Sequence, residues 1–137
     1  MKKITNEIKV RLTANNFCDE IARGCVTAFL NNSHKNPTSE ELGDIRCSVS
    51  EAVTNCAVHA YKEPSDKNFI YISARLYDNG EFSIEISDNG CGFDTARIGK
   101  NANEMGFLIM KNFMDSVDIK SKIGKGTTVL MRKFLAQ

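Results

Sequence analysis

Apolar and polar residues alternate along five stretches of the chain, and a period of two predicts β-strands. The alternation is clearest over residues 68–77 and 81–87, which flank the tripeptide Asp78-Asn79-Gly80. This tripeptide favours a hairpin turn, because such a turn needs a positive φ angle. Further strands are predicted over residues 4–13, with the best match over 7–13, and over about 116–122 and 127–134.

Three other stretches repeat apolar residues at helical spacing. The first helix is predicted from a cap at Asn15 or Asn16 to about Asn31, and the third over residues 105–115. The predicted apolar face of the first helix consists of Phe17, Ile21, Cys25, Ala28 and Phe29.

The second helix is predicted to begin at Thr38 or Ser39 and to run to about Tyr61. Glu40 and Glu41 lie in its first turn, where carboxylates complement the helix macrodipole. Its predicted apolar stripe consists of Leu42, Ile45, Val49, Val53 and Cys56 or Ala57. Helices that cover one face of one sheet form an α/β (α+β) two-layer sandwich, and this is the predicted fold.

Composition narrows the class of protein. The 137 residues fit one domain over residues 1–137. Lys and Arg number 18 against 17 Asp and Glu, and this formal net charge of +1 argues against a dedicated nucleic-acid binder. No apolar run approaches the roughly 18–20 residues that cross a bilayer, and the N-terminus lacks a signal-peptide core. We therefore expect a cytoplasmic protein without membrane contact.

The cysteines agree with a reducing compartment. There are five of them, and no two are spaced as Cys-x-x-Cys, so neither a disulfide framework nor a zinc site is predicted. Small buried apolar residues are the simpler interpretation.

The second predicted helix carries a polar stripe. Glu51, Asn55 and His59 are spaced i, i+4 and i+8, which places them near one face of an α-helix. Such a stripe is often only a solvated face. The functional interpretation is a glutamate base beside an asparagine whose amide oxygen holds Mg²⁺, a cation that binds together with substrate phosphates.

Three glycine-bearing segments follow this helix. Asp88-Asn89-Gly90-Cys91-Gly92 comes directly after a predicted strand, so the carboxylate can contact a ligand and the glycines allow close backbone approach. Gly106 lies at the start of the third predicted helix. The segment Gly124-Lys125-Gly126-Thr127-Thr128 can contact a nucleotide. Taken singly, the Asp88 segment could equally be an ordinary acidic turn, and the Gly124 segment could equally be a hairpin turn. None of the three segments is a P-loop.

Taken together and in this order, the segments closely resemble the GHKL ATP-binding superfamily. The strings are Glu51-Ala-Val-Thr-Asn55-Cys-Ala-Val-His59-Ala60-Tyr61, Asp88-x-Gly90-x-Gly92, Met105-Gly106-Phe107 and Gly126-Thr127-Thr128. The first, third and fourth resemble the bacterial anti-sigma factor serine kinases of sporulation and stress response. This resemblance implies a Bergerat-type ATP-binding fold, with helices on one face of a mixed, mostly antiparallel sheet.

The resemblance also implies roles for individual residues. Glu51 would be the general base that takes the proton of a substrate serine, and Asn55 would hold Mg²⁺ on the ATP phosphates. Asp88 would accept a hydrogen bond from the adenine amino group. The adenine pocket and the phosphate side would further include Gly90, Gly92, Gly106 and Thr128, or less surely Thr127. Arg23 of the first helix would contact protein partners.

The partners that the resemblance implies are proteins. The chain would phosphorylate an anti-anti-sigma factor of the STAS type, sequester a sigma factor and form a homodimer, without contact to nucleic acid. Two departures from the family pattern leave an alternative open. Glu104 replaces a family glycine, and the lid segment Phe93 to Asn103 is short, although Arg97 and Lys100 remain as phosphate contacts. The alternative is an ATP-gated binding module with weak or no catalysis.

Overall fold

The computed structural model describes residues 1–61, 65–92 and 104–136, without the side chains of His59 and Glu104. Its elements are β1 (Ile4–Thr13), α1 (Cys18–Asn31), α2 (Ser39–Asn55), a π-helical turn (Cys56–Ala60), β2 (Phe69–Tyr77), β3 (Glu81–Asp88), α3 (Glu104–Phe113), β4 (Ser116–Lys122) and β5 (Gly126–Phe134). All five predicted strands and all three predicted helices are therefore present, and the shifts at their ends are small except at the C-terminal end of α2.

The strands form one sheet in the order β1-β2-β3-β5-β4. All four pairings among the described strands are antiparallel, so the parallel pairing that a mixed sheet would contain is absent from the described part of the chain. Alternate residues of β2 are buried, as the period of two predicts: Ile70, Ile72, Ala74 and Leu76. The predicted turn is also confirmed, since Gly80 connects β2 to β3 with a φ of +89°.

The helices cover one face of this sheet, and α2 packs between α1 and α3. One hydrophobic core lies between the two layers, and residues of all three helices contribute to it. The α2 stripe is confirmed by the burial of Ile45, Val49 and Val53. The predicted two-layer sandwich is therefore the observed architecture.

The predicted apolar face of α1 was wrong by one position along most of its length. The buried residues are Cys18, Ala22, Val26, Phe29 and Leu30. Phe17 and Ile21 are 66% and 47% exposed, and only Phe29 belongs to both sets. Two adjacent stripes of α1 are apolar, and packing against α2 and the sheet decides which one is buried.

The helix starts differ in how they are capped. Phe17 occupies the N-cap of α1 without a side-chain hydrogen bond, and the predicted cap residue Asn15 instead accepts the Phe17 N–H on Oδ1 at 2.9 Å. α2 begins with a complete capping box. The Thr38 hydroxyl accepts the Glu41 N–H at 3.1 Å, and the Glu41 carboxylate accepts the Thr38 N–H at 2.8 Å.

The second helix does not continue as an α-helix to Tyr61, as the sequence pattern predicted. It ends at Asn55, and one π-helical turn follows over Cys56–Ala60. A π turn contains more residues than an α turn, so the angular spacing of successive residues changes after Asn55. The side chain of His59 lies outside the described residues.

Candidate functional site

The cleft between α2 and α3 brings together three of the predicted site residues. Glu51 and Asn55 are one helical turn apart at the end of α2, and Gly106 lies opposite them in the first turn of α3. A Cβ at position 106 would lie 2.9 Å from Glu51 Oε2 and 3.4 Å from Asn55 Nδ2. The missing side chain of Gly106 thus leaves the carboxylate and the amide room beside the helix.

The amide group of Asn55 faces Gly106 in this cleft. Its Nδ2 atom is buried and has no hydrogen-bond partner among the described residues. A buried polar group without a partner is costly, and its presence in a cleft suggests that a ligand completes it. The amide nitrogen can donate to a phosphate oxygen, and after a flip of the amide its oxygen can coordinate a cation.

This donor set fits Mg²⁺ held jointly with phosphates. Mg²⁺ prefers oxygen ligands, keeps several waters and takes few ligands from the protein. In the described part of the chain no group of three or more His, Cys, Asp and Glu side chains could hold a metal by itself. Asn55 would therefore supply one amide ligand, and substrate phosphates and water would supply the others.

Asp88 ends β3 and is almost completely buried, with 5% of the residue exposed. Its Oδ1 atom accepts the Gly90 N–H at 2.9 Å and the Thr127 N–H at 3.3 Å. These two backbone donors hold the carboxylate in place, and an ionised carboxylate has about four acceptor sites. Sites beyond these bonds can accept from a ligand.

The loop after Asp88 is clamped between the π turn and the β4–β5 hairpin. The Cys91 N–H donates to the Ala60 carbonyl at 2.7 Å, and the Gly124 N–H donates to the Cys91 carbonyl at 2.6 Å. A Cβ at Gly90 would overlap the Ala60 carbonyl, and a Cβ at Gly92 would overlap the Lys122 carbonyl. Gly92 also has a φ of +63°. The predicted close approach of this backbone is therefore observed.

Tyr61 supports the same loop, although the sequence pattern assigned it no role. Its hydroxyl donates to the Phe69 carbonyl and accepts the Asn89 N–H at 3.0 Å. Burial raises the pKa of Tyr61 above 10, so the hydroxyl stays protonated and can serve as this bridge. Tyr61 lies outside the predicted apolar stripe of the second helix, so the sequence pattern gave no signal for this role. Only the tertiary contact identifies it.

Two predicted site residues lie elsewhere. Val129 and Met131 of β5 are buried against the helices, so Thr127 is on the helix side of the sheet and Thr128 is on the open side. The structure therefore brings Thr127, rather than Thr128, to Asp88. The alternation along β5 already contained this information. Arg23 lies on α1, where its Nε is 3.4 Å from Asp19 Oδ1.

Several other predictions fall outside the described residues. They concern the lid segment Phe93 to Asn103 with Arg97 and Lys100, and the side chain of Glu104. Among the described helices, none combines the length and the apolar character needed to span a bilayer.

Comparison with known proteins gives a consistent result. Residues 19–133 match the family model described as the histidine kinase-like ATPase domain. The anti-sigma F factor of Priestia megaterium is 34% identical, over 95% of this chain and 93% of that protein. The anti-sigma F factor of Caldanaerobacter subterraneus subsp. tengcongensis is 35% identical, over 96% of each chain.

Solved structures share the fold. The structure of the RsbU and RsbW domains of Rv1364c from Mycobacterium tuberculosis superposes with a TM-score of 0.75 at 20% identity. It covers 97% of this chain, which spans 33% of that longer chain. The blue-light activated histidine kinase EL346 of Erythrobacter litoralis has a TM-score of 0.62 at 19% identity, over 74% of this chain.

Proposed function

Because this chain belongs to the histidine kinase-like ATPase domain family, we propose that its α2–α3 cleft binds Mg-ATP and that the protein is an anti-sigma factor with kinase activity. The observation that carries the proposal is the arrangement around one cleft of Glu51, Gly106 and the buried Asn55 amide nitrogen, which has no hydrogen-bond partner among the described residues. Alignment with anti-sigma F factors along nearly the whole chain supports it.

The reaction would be transfer of the γ-phosphoryl group to a serine hydroxyl. The serine oxygen forms a bond to the γ-phosphorus, the bond from that phosphorus to the ADP oxygen breaks, and the hydroxyl proton passes to Glu51. A positioned general base contributes about 10²–10⁴-fold to such a step. Positioning and neutralisation of charge supply most of the rest, since phosphoryl transfer needs little covalent chemistry from the protein.

The remaining site residues would bind the nucleotide. Asn55 would hold Mg²⁺ on the phosphates, and the ion would neutralise the charge that develops there. Asp88 would accept from the adenine amino group, while Gly90 and Gly92 let the backbone lie along the base. Gly106 would keep the phosphate side of the cleft open.

The partners proposed are proteins. The relatives are named anti-sigma F factors, and by similarity this chain would sequester a sigma factor and phosphorylate an anti-anti-sigma protein. Arg23, paired with Asp19 on α1, is the proposed contact residue for these partners. A homodimer in the cytoplasm is proposed on the same basis.

The decisive experiment incubates the protein with Mg-ATP labelled at the γ-phosphate and an anti-anti-sigma protein encoded beside it. We expect label on a serine of that protein, and Glu51→Gln should abolish the transfer while ATP still binds. Glu40→Gln is the matched control, because it makes the same change on an exposed position of α2. ATP binding without transfer in the wild type would instead identify an ATP-gated binding module. Absence of nucleotide binding would overturn both functions.

A further inference from the structure

The hydroxyl of Tyr61 lies between the ends of two neighbouring strands. It donates to the carbonyl of Phe69, the first residue of β2, and accepts the N–H of Asn89, the residue after β3, at 3.0 Å. A carbonyl only accepts and an N–H only donates, so the direction of both hydrogen bonds is fixed. Tyr61 itself follows the π turn and belongs to neither strand.

The two backbone groups that this hydroxyl joins occupy the next position of the β2–β3 ladder. The last pair of the ladder is Ile70 with Asp88, so the next pair in the same register would be Phe69 with Asn89. In a regular antiparallel sheet such groups bond to each other directly wherever they point towards the partner strand.

The direction of the Phe69 carbonyl follows from its neighbour. The Ala14 N–H, beyond the end of β1, donates to the Asn68 carbonyl at 2.7 Å, so that carbonyl points towards β1. Successive carbonyls of a strand point to opposite sides, so the Phe69 carbonyl points towards β3. The Tyr61 hydroxyl therefore takes the place of a direct hydrogen bond between Phe69 and Asn89.

An inserted hydroxyl keeps the ends of β2 and β3 apart. Two hydrogen bonds in series span a longer distance than one N–H···O bond of about 2.9 Å. Asp88 is the last paired residue of β3, so this spacing sets where its loop leaves the sheet. The same loop is tied to Ala60 through the Cys91 N–H, a contact between main-chain atoms. Tyr61 holds it through a side chain, which a substitution can remove.

We propose that Tyr61 is a positioning residue for nucleotide binding, whose hydroxyl holds the end of β3 so that Asp88 faces the base. The inference rests on the proposed function, in which Asp88 accepts from the amino group of adenine. Tyr61 acts through the backbone of Asn89 and does not touch the nucleotide. A base with an oxygen in place of that amino group gains nothing from an oriented acceptor, so Tyr61 should affect the two bases differently.

Titration calorimetry with the full chain tests the proposal by comparing Kd values for Mg-ATP and Mg-inosine triphosphate in the wild type and in Tyr61→Phe. The substitution removes one oxygen atom and keeps the ring, which still separates Phe69 from Asn89. We expect the affinity for Mg-ATP to fall about threefold to tenfold, as for the loss of one hydrogen bond. The affinity for Mg-inosine triphosphate, which carries the oxygen, should change by less than about twofold.

Tyr77→Phe is the matched control, because it makes the same change at the opposite end of β2, where the ring contacts Lys2. It should leave both Kd values unchanged. An unchanged affinity for Mg-ATP in Tyr61→Phe, or an equal loss for both nucleotides, would overturn the inference and leave the proposed function intact. Failure of the wild type to bind either nucleotide would overturn both.

Amide hydrogen exchange measured by NMR gives a second readout that needs no nucleotide. Asn89 is an exposed residue, yet its N–H is bound by the Tyr61 hydroxyl. We expect this amide to exchange faster in Tyr61→Phe than in the wild type. The Gly80 amide, which donates to the Tyr77 carbonyl in the β2–β3 turn, is the internal reference and should keep its rate. Equal rates for Asn89 in the two proteins would contradict the proposed bridge.

Discussion

At the scale of single residues, the glycines around the cleft serve different physical purposes. Gly106 leaves space for functional side chains, because its nearest neighbours are the carboxylate of Glu51 and the amide of Asn55. Gly92 instead combines a positive φ with a close backbone neighbour. Substitution of Gly106 should therefore reduce activity more than stability, and substitution of Gly92 should reduce stability.

Gly106→Ala should strongly reduce phosphoryl transfer without unfolding the protein. The new methyl group would displace Glu51, which is a flexible side chain, while alanine in place of glycine favours the helix by about 1 kcal/mol. We expect transfer to fall by about 10²-fold or more, in line with the contribution of a general base, and the melting temperature to stay equal or rise. Transfer assays and circular dichroism measure the two effects.

Gly43→Ala is the control for this change, since Gly43 lies in α2 with nothing within 4 Å of its would-be Cβ. It should raise stability and leave transfer unchanged. Wild-type transfer rates in Gly106→Ala would contradict the assigned contact with Glu51.

At the scale of elements, the site depends on junctions between regular structure. The π turn after α2 brings the Ala60 carbonyl to the Cys91 N–H, and the β4–β5 hairpin holds the other side of the same loop. The capping box at the opposite end of α2 fixes where this helix begins. Both ends of α2 are therefore determined by specific hydrogen bonds.

Substitutions in two of the three positive-φ glycines of this junction, Gly92 and Gly124, should separate backbone strain from crowding. Alanine at Gly124, with a φ of +83° and open space around it, should cost about 1–2 kcal/mol. Alanine at Gly92 carries the same strain and also overlaps the Lys122 carbonyl, so it should cost more. Urea denaturation measures both, and equal losses would show that the loop can move away from the hairpin.

The capping box should make stability depend on pH in a defined direction. Burial opposes the charge of Glu41, but the N–H groups of Thr38 and Ala136 outweigh it and lower the pKa of Glu41 below 4.5. A carboxyl group whose pKa is lower in the folded state stabilises the protein at pH values above its unfolded pKa of about 4.3. This stabilisation is lost as the pH falls through the folded-state pKa. Glu41→Gln should therefore lower the free energy of unfolding relative to the wild type at pH 7. This difference between variant and wild type should shrink as the pH is lowered towards 3.

Urea denaturation of the wild type and of Glu41→Gln at both pH values checks this prediction. Glu40→Gln is again the matched control, because Glu40 is the exposed neighbour in the same turn and takes no part in the capping box. A deficit that is the same at both pH values would contradict the assigned hydrogen bonds.

At the scale of the whole molecule, one core joins the sheet to the three helices. Its central strand β3 pairs with β2 on one side and β5 on the other. Because the Asp88 loop continues from β3 and Glu51, the proposed general base, lies on α2, the two halves of the candidate site depend on this same core. Loss of core packing should therefore remove both at once.

Ile84→Ala tests this dependence, since Ile84 is fully buried in the centre of β3. We expect a loss of about 2–5 kcal/mol in the free energy of unfolding, from lost burial and the cavity left behind. Ile123→Ala, at a residue 77% exposed, should change stability by no more than about 0.5 kcal/mol. Helical circular dichroism and tyrosine fluorescence should give coincident transitions in both variants, and separated transitions would contradict a single core.

The sequence by itself determined the features that depend on local spacing. The alternation along β2 predicted which residues are buried, the residues Thr38 and Ser39 predicted where α2 starts, and the i, i+4 spacing placed Glu51 beside Asn55. These features need only the 2.0 and 3.6 residue periods of regular structure, which neighbouring residues establish without reference to the rest of the chain.

Only the tertiary structure decided the features that depend on contacts between distant segments. Both stripes of α1 are apolar, so packing against α2 and the sheet selects the one with Ala22 and Val26. The helical spacing predicted that α2 runs to about Tyr61, whereas the structure ends the α-helix at Asn55 and continues it as a π turn. In each case the local pattern allows two arrangements, and the free energy that separates them comes from burial and hydrogen bonds across the fold.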